Sequence, residues 1–190
     1  MRPLNTTLAA FSLLAVAPAT ASETPIALDE VPEEIMAIAR EIVASMHTRH
    51  TVDTALTFDD FDAADQPPGA DDQPVTVTFV SANTETEVNG PDDFVYEIQG
   101  TLEDGRKVEF DIFPSGVVQE VEIEFSEAAV PGAVLQALER AYPGFTPSFI
   151  EATHTRSLKV VGYEFVGTMG DQMLDLEVSA DGRRIVESDQ

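Results

Sequence analysis

The chain has 190 residues, 35 of them Asp or Glu against 10 Lys or Arg, a formal charge of -25, and no cysteine. A negative field of this size repels nucleic acid and anionic lipid, and the lack of thiols excludes disulfide scaffolds, cysteine-ligated metals and cysteine nucleophiles. Hydrophobic residues make up 43% of the chain, too many for a wholly disordered acidic protein and enough for a core.

Residues 1–21 read as a secretory signal peptide. Arg2 gives a positive start, Leu8 to Ala17 is apolar, and Ala19-Thr20-Ala21 is an A-x-A cleavage site before Ser22. The apolar run falls well short of the ~20 residues that span a bilayer, and no later segment comes close. A periplasmic or secreted protein with no membrane span after cleavage is expected.

Next comes a helix opened by Val31-Pro32. Ile35, Ile38, Ala39, Ile42, Val43 and Met46 recur at helical spacing on one face, with Glu33 and Glu34 at the positive end. Residues 57–73 (TFDDFDAADQPPGADDQ) carry six Asp, Pro67-Pro68 and Gly69, and read as a solvated acidic insertion. Pro74 to Ser81 offers a strand. Phe94, Tyr96 and Ile98, then Val108, Phe110 and Ile112, then Val121, Ile123 and Phe125, alternate with polar residues. Period two of this kind predicts antiparallel strands with one wet face. Asp104-Gly105 and Ser115-Gly116 are the turns between them.

A second helix begins at Val130-Pro131, carries Val134, Leu135, Leu138, Ala141 and Tyr142, and stops at Pro143-Gly144. Ser148 to Thr155 offers another strand. Tyr163 and Phe165, then Leu174, Leu176 and Val178, continue the alternation, with a turn at Asp181-Gly182.

Two stretches align. Tyr96-Glu97-Ile98-Gln99-Gly100-Thr101 matches Tyr163-Glu164-Phe165-Val166-Gly167-Thr168, and residues 108–112 match 174–178. The expected fold class is therefore α+β, as two tandem repeats, each one helix packed on a small antiparallel β-meander. The first would cover residues 22–125, with the insertion, and the second 126–190.

A Val-Pro helix ending Tyr-Pro-Gly, followed by a strand and by Tyr-Glu-x-x-Gly-Thr into an alternating strand and an Asp-Gly turn, resembles the PepSY-like family. The fit is best over Val130 to Val186. The resemblance implies an exported bacterial protein that binds without catalysis. It implies inhibition of a peptidase in some members and, in the similar tandem beta-lactamase-inhibitor proteins, capture of an enzyme on the sheet face. It implies no catalytic residues.

The residues themselves point the same way. No G-x-S-x-G is present, and three His leave little for a nucleophile-base pair, so no enzyme is expected. Glycines sit at hairpin turns and not in a phosphate cradle, so no nucleotide cofactor is expected. His47 and His50, with Asp53, have metal-ligand spacing, but Arg49 between them would repel a cation. His154 reads as a solvent-facing strand position. Calcium is the better metal candidate, at Asp59, Asp60, Asp62, Asp65, Asp71 and Asp72, although the spacing is not an EF-hand's. The candidate partner-binding face is the wet side of the strands: Glu97, Glu109, Asp111, Glu120, Glu122, Glu124, Glu164, Asp175 and Glu177. Its charge suits a basic protein or an envelope enzyme. The leading expectation is thus an exported binding module that inhibits or regulates a cell-envelope enzyme, the alternative an acidic calcium-buffering envelope protein.

Overall fold

A computed structural model of the protein describes residues 23–51, 72–86 and 91–187. The expected signal peptide, Asp53, and most of the acidic insertion, including Asp59, Asp60, Asp62, Asp65 and Asp71, lie outside the described residues.

Among the described residues, nine strands follow one another in a single sheet: β1 (Glu23–Ile26), β2 (Val77–Thr86), β3 (Phe94–Leu102), β4 (Lys107–Ile112), β5 (Val118–Glu124), β6 (Thr146–His154), β7 (Val160–Met169), β8 (Gln172–Ser179) and β9 (Ile185–Glu187). Each pairs antiparallel with the next, in chain order. Helix α1 (Glu33–Ser45) lies between β1 and β2 in sequence, and α2 (Gly132–Ala141) between β5 and β6. Among the described residues no helix is long and apolar enough to cross a membrane.

This corrects the expected fold. The protein is not two helix-on-meander repeats but one nine-stranded sheet carrying two short helices. The reason lies at the middle of the chain, where β5 and β6 pair through Val121↔His154, Glu122↔Thr153, Ile123↔Ala152 and Glu124↔Glu151. This register sets the core-facing Val121 and Ile123 of β5 opposite the core-facing His154 and Ala152 of β6, and pairing the two strands leaves no unpaired backbone edge between the halves. The apolar residues of both helices and of the sheet form one continuous core.

The helices form where period and punctuation put them. In α1 the buried residues are Ile35, Met36, Ala39 and Ile42. Pro32 stands just before the helix, and its carbonyl accepts from the N–H groups of Ile35 and Met36 at 3.0 Å. At the other end the Ser45 hydroxyl donates to the Ile42 carbonyl at 2.7 Å. In α2 the buried residues are Val134, Ala137 and Leu138, whereas Ala141 is exposed. Against these stripes lie Ile98, Phe110, Ile112, Val121, Ile123, Tyr163, Phe165 and Leu176, all almost fully buried.

β7 runs so close beneath the chain entering β6 that a Cβ on Gly167 would run into the Thr146 carbonyl and the Phe145 ring. Gly167→Ala is expected to cost about 1–3 kcal/mol through this overlap, read as a lower melting temperature. The exposed Gly105, with nothing near its would-be Cβ but a φ of +93°, supplies a comparison in which only backbone strain acts.

An acidic sheet face

Alternation gives the sheet two faces. One carries the core and meets the helices. On the other, cross-strand pairing stacks polar side chains into rows. One row runs Asn83↔Glu97, Glu97↔Asp111 and Asp111↔Glu120 over β2–β5. A second runs Ser81↔Gln99, Gln99↔Glu109 and Glu109↔Glu122 over the same strands. A third runs Glu124↔Glu151, Glu151↔Glu164 and Glu164↔Glu177 over β5–β8. Like charges directly opposite one another oppose the pairing that brings them together.

The nine carboxylates expected on a wet surface do share this face, but several are not wet. Glu97 and Asp111 are each only 7% exposed, and Glu109, Glu122, Glu164 and Asp175 are half-buried. Glu151 belongs with them. The alternation of Ile150 and Ala152 turns Glu151 to this side, so its own neighbours in sequence signal a place on the face that the expected surface left out.

Crowding and burial set the chemistry. Burial first, then the neighbouring Glu109, Glu85 and Glu23, pushes the Glu97 carboxyl up to about 8. Burial also raises Glu109, against the hydrogen bond from Gln99, and raises Asp111 well above the usual carboxylate range with Glu109 and Glu120 beside it. Glu122 is pushed up to about 11 by burial and by Glu151 and Glu120. Glu151 goes up to about 7 through burial and Glu109. Glu164 rises to about 8 through burial and Asp175, with which it shares a hydrogen bond. Much of this face therefore holds protons at neutral pH.

Local partners hold part of the array in place. The Ser81 hydroxyl donates to Gln99 Oε1 at 2.7 Å, and Gln99 Nε2 donates to Glu109 Oε2 at 2.8 Å. Lys107 Nζ stands 4.9 Å from the centre of the Phe149 ring. Among the described residues three buried carboxylate oxygens have no hydrogen-bond partner: Glu97 Oε2, Asp111 Oδ1 and Asp175 Oδ1. Two carboxylate trios, Glu97/Glu109/Asp111 and Glu122/Glu151/Glu164, each bring one oxygen per residue within 4.8 Å of the others.

Two hollows open over the face. One, of about 470 Å³, is lined in part by Glu120, Glu122, Glu164, Glu177, Val161 and Arg184. The other, of about 320 Å³, is lined in part by Val80, Gln99, Lys107, Glu109, Phe149 and Glu151. Val80 and Val161 are 56% and 45% exposed, and each falls where the strand register shifts by one residue. A bulge adds one unpaired residue, and these two place an apolar side chain at the rim of each hollow.

The remaining candidates lie elsewhere. Asp72 is taken up by the segment after α1: its Oδ2 accepts from Arg49 Nη1 at 2.8 Å, its Oδ1 from the Thr48 hydroxyl at 3.0 Å. His47 precedes and His50 ends a short 3-10 turn, Thr48–His50, where His50 Nδ1 accepts from the His47 N–H at 3.0 Å. That nitrogen is thus not free for a metal. Burial lowers His50 to about 4. His154, expected toward solvent, is fully buried on the core side of β6, its parity shared with Ile150 and Ala152. Its Nδ1 stands 3.2 Å from the Val121 carbonyl, to which the Nδ1–H donates, and burial lowers it to about 4.

No family model, no curated protein and no solved structure matches this chain, so the reading of the acidic face rests on its own geometry.

Proposed function

We propose that this chain is an exported, non-catalytic binding module whose acidic sheet face captures a basic partner. The PepSY-like resemblance implies a cell-envelope peptidase or another envelope enzyme, held without being turned over. One observation carries the reading: three cross-strand rows of carboxylates share one face, over two hollows whose lining, among the described residues, includes a single Lys and a single Arg. A face of one sign steers an oppositely charged surface and speeds its encounter. The apolar rims at Val80 and Val161 give that surface something to bury against.

Basic side chains favour the ionised form of the carboxylates they meet. Because Glu97, Glu151 and Glu164 rise to about 8, 7 and 8, capture should tighten as pH goes from 6 to 8. The test is capture from the envelope fraction of the host by the immobilised chain from Ser22 to Gln190, at low and high salt. The expected result is one enzyme retained at low salt, released at high salt, and lost from a Glu151→Gln, Glu164→Gln variant. Empty eluates in every condition, or equal retention by that variant, would refute the proposal.

A further inference from the structure

The carboxylate trio on β3 and β4 has a property that a solvated acidic surface lacks. Glu97 and Asp111 are each more than nine-tenths buried, and each keeps one oxygen, Glu97 Oε2 and Asp111 Oδ1, with no hydrogen-bond donor. Leaving a buried carboxylate oxygen unpaired costs more than a hydrogen bond returns. Something that satisfies both oxygens at once would remove that cost. Glu109 completes the group, and one oxygen from each of the three lies within 4.8 Å of the others. Two oxygens bound to a calcium ion at ~2.4 Å can be at most about 4.8 Å apart, so the three oxygens are no farther from one another than two ligands of one ion can be.

The geometry points to a divalent-cation site formed by Glu97, Glu109 and Asp111, suited to Ca²⁺. All three ligands are hard oxygens, and no sulfur or imidazole accompanies them, which favours calcium or magnesium over zinc or copper. Calcium takes six to eight oxygens in flexible geometry, whereas magnesium demands a near-ideal octahedron, so three carboxylates completed by water suit calcium better. The supports around the trio are already in place. Gln99 orients Glu109 by its 2.8 Å hydrogen bond, and the Asn83 side chain hydrogen-bonds Glu97.

The surrounding charges favour an ion. Glu23 from β1, Glu85 from β2, and Glu120 from β5 face the trio, while Glu122, which burial keeps protonated, stands opposite Glu109 and adds no charge. The one cation acting on the group from its own strand is Lys107, whose ammonium sits against the Phe149 ring. The second trio, Glu122/Glu151/Glu164, has the same spacing. Its members are only half-buried, and none of them has a buried oxygen without a partner. The site therefore belongs to β3 and β4. It is distinct from the aspartate-rich insertion, and it stands whether or not the face also captures a protein.

The experiment is a calorimetric titration of the chelator-treated full chain with CaCl₂ at pH 7.5, beside four variants. Glu97→Gln and Asp111→Asn keep the shape of a protonated carboxyl and remove a ligand charge. Each should weaken calcium at least ~10-fold, by the loss of one of three charged ligands. Glu164→Gln, and a variant with Asn at positions 59, 60, 62 and 65, should bind as the parent does. A second readout does not depend on how the variants fold. Mn²⁺ added to the unmodified chain should broaden the side-chain amide NMR signals of Gln99 and Asn83 at lower concentrations than those of Gln119 and Gln136. No heat at millimolar calcium, affinity lost only with the insertion aspartates, or broadening without preference for Gln99 and Asn83 would each overturn the site.

Discussion

Raising the pH from about 5 to 8 in metal-free buffer is expected to destabilise the protein, by a few kcal/mol in total and roughly 10 °C in melting temperature. The sign follows from which state holds the proton. Glu97, Glu122, Glu151 and Glu164 have folded values of about 8, 11, 7 and 8 against an ordinary 4.5, so across this window the native state keeps protons that the unfolded chain has lost. Their stabilising contribution is complete below about 4.5 and disappears as pH rises through the folded values. A tenfold gain in proton affinity on folding is worth ~1.4 kcal/mol for an isolated group, and because the carboxyls of this face share protons, their joint effect is smaller than four independent groups would give.

The buried histidines act in the opposite sense. His50 and His154 have folded values of about 4 against 6.5, so their neutral burial supports the fold above 6.5 and is undermined as pH falls toward 4. More carboxylates than histidines titrate, so the stability maximum should fall near about pH 5. Thermal melts across pH 4 to 8.5 test this. Glu164→Gln should raise the melting temperature at pH 8 and flatten the decline, while Glu139→Gln on the exposed side of α2 should leave the profile unchanged. A melting temperature that rises steadily from pH 5 to 8 would show that these carboxyls are ionised and solvated in the folded protein.

The other large effect concerns the middle of the sheet. Fragments 22–125 and 126–190, cut where two independent repeats would have joined, are each expected to lack a cooperative unfolding transition. Cutting there removes the β5·β6 ladder and leaves two central strands as open edges. It also divides a core in which both helices and both halves of the sheet are continuous, and exposes Val121, Ile123, Ala152 and His154 at the cut. Circular dichroism and amide dispersion in NMR read the outcome. A sharp, independent transition in either fragment would show that the halves fold alone. The intact chain should give one transition by calorimetry. Ile123→Ala in β5 should lower it as a whole, by about 2–5 kcal/mol for a fully buried isoleucine.

Much of the local structure is legible in residue order. The spacing of Ile35, Ala39, Ile42 and Met46 locates α1, that of Val134 and Leu138 locates α2, and strict alternation locates β3, β4, β5, β7 and β8 with the inward side of each. Those readings succeed because a helix or a strand presents its side chains with a period that depends only on the backbone. His154 shows the limit. Its polarity argues for solvent, yet its parity with Ile150 and Ala152 puts it in the core, and parity is the stronger rule within a strand. Glu151 escapes notice for the same reason, although its own neighbours announce its face.

The sequence by itself determined an acidic, cysteine-free chain with two amphipathic helices, a set of alternating strands, and carboxylates on the side of those strands away from the core. Only the tertiary structure decided that β5 pairs with β6 to make one sheet, because the partner of a strand edge is chosen by long-range register and not by local period. It alone also decided that Glu97, Glu109 and Asp111 converge. Their meeting depends on the alignment of β3 with β4, Glu97 opposite Asp111 and Gln99 opposite Glu109, and a slip of one residue would have scattered them. Charge and alternation are properties of a segment, whereas burial and the cost of an unpaired carboxylate belong to the neighbours that the fold supplies.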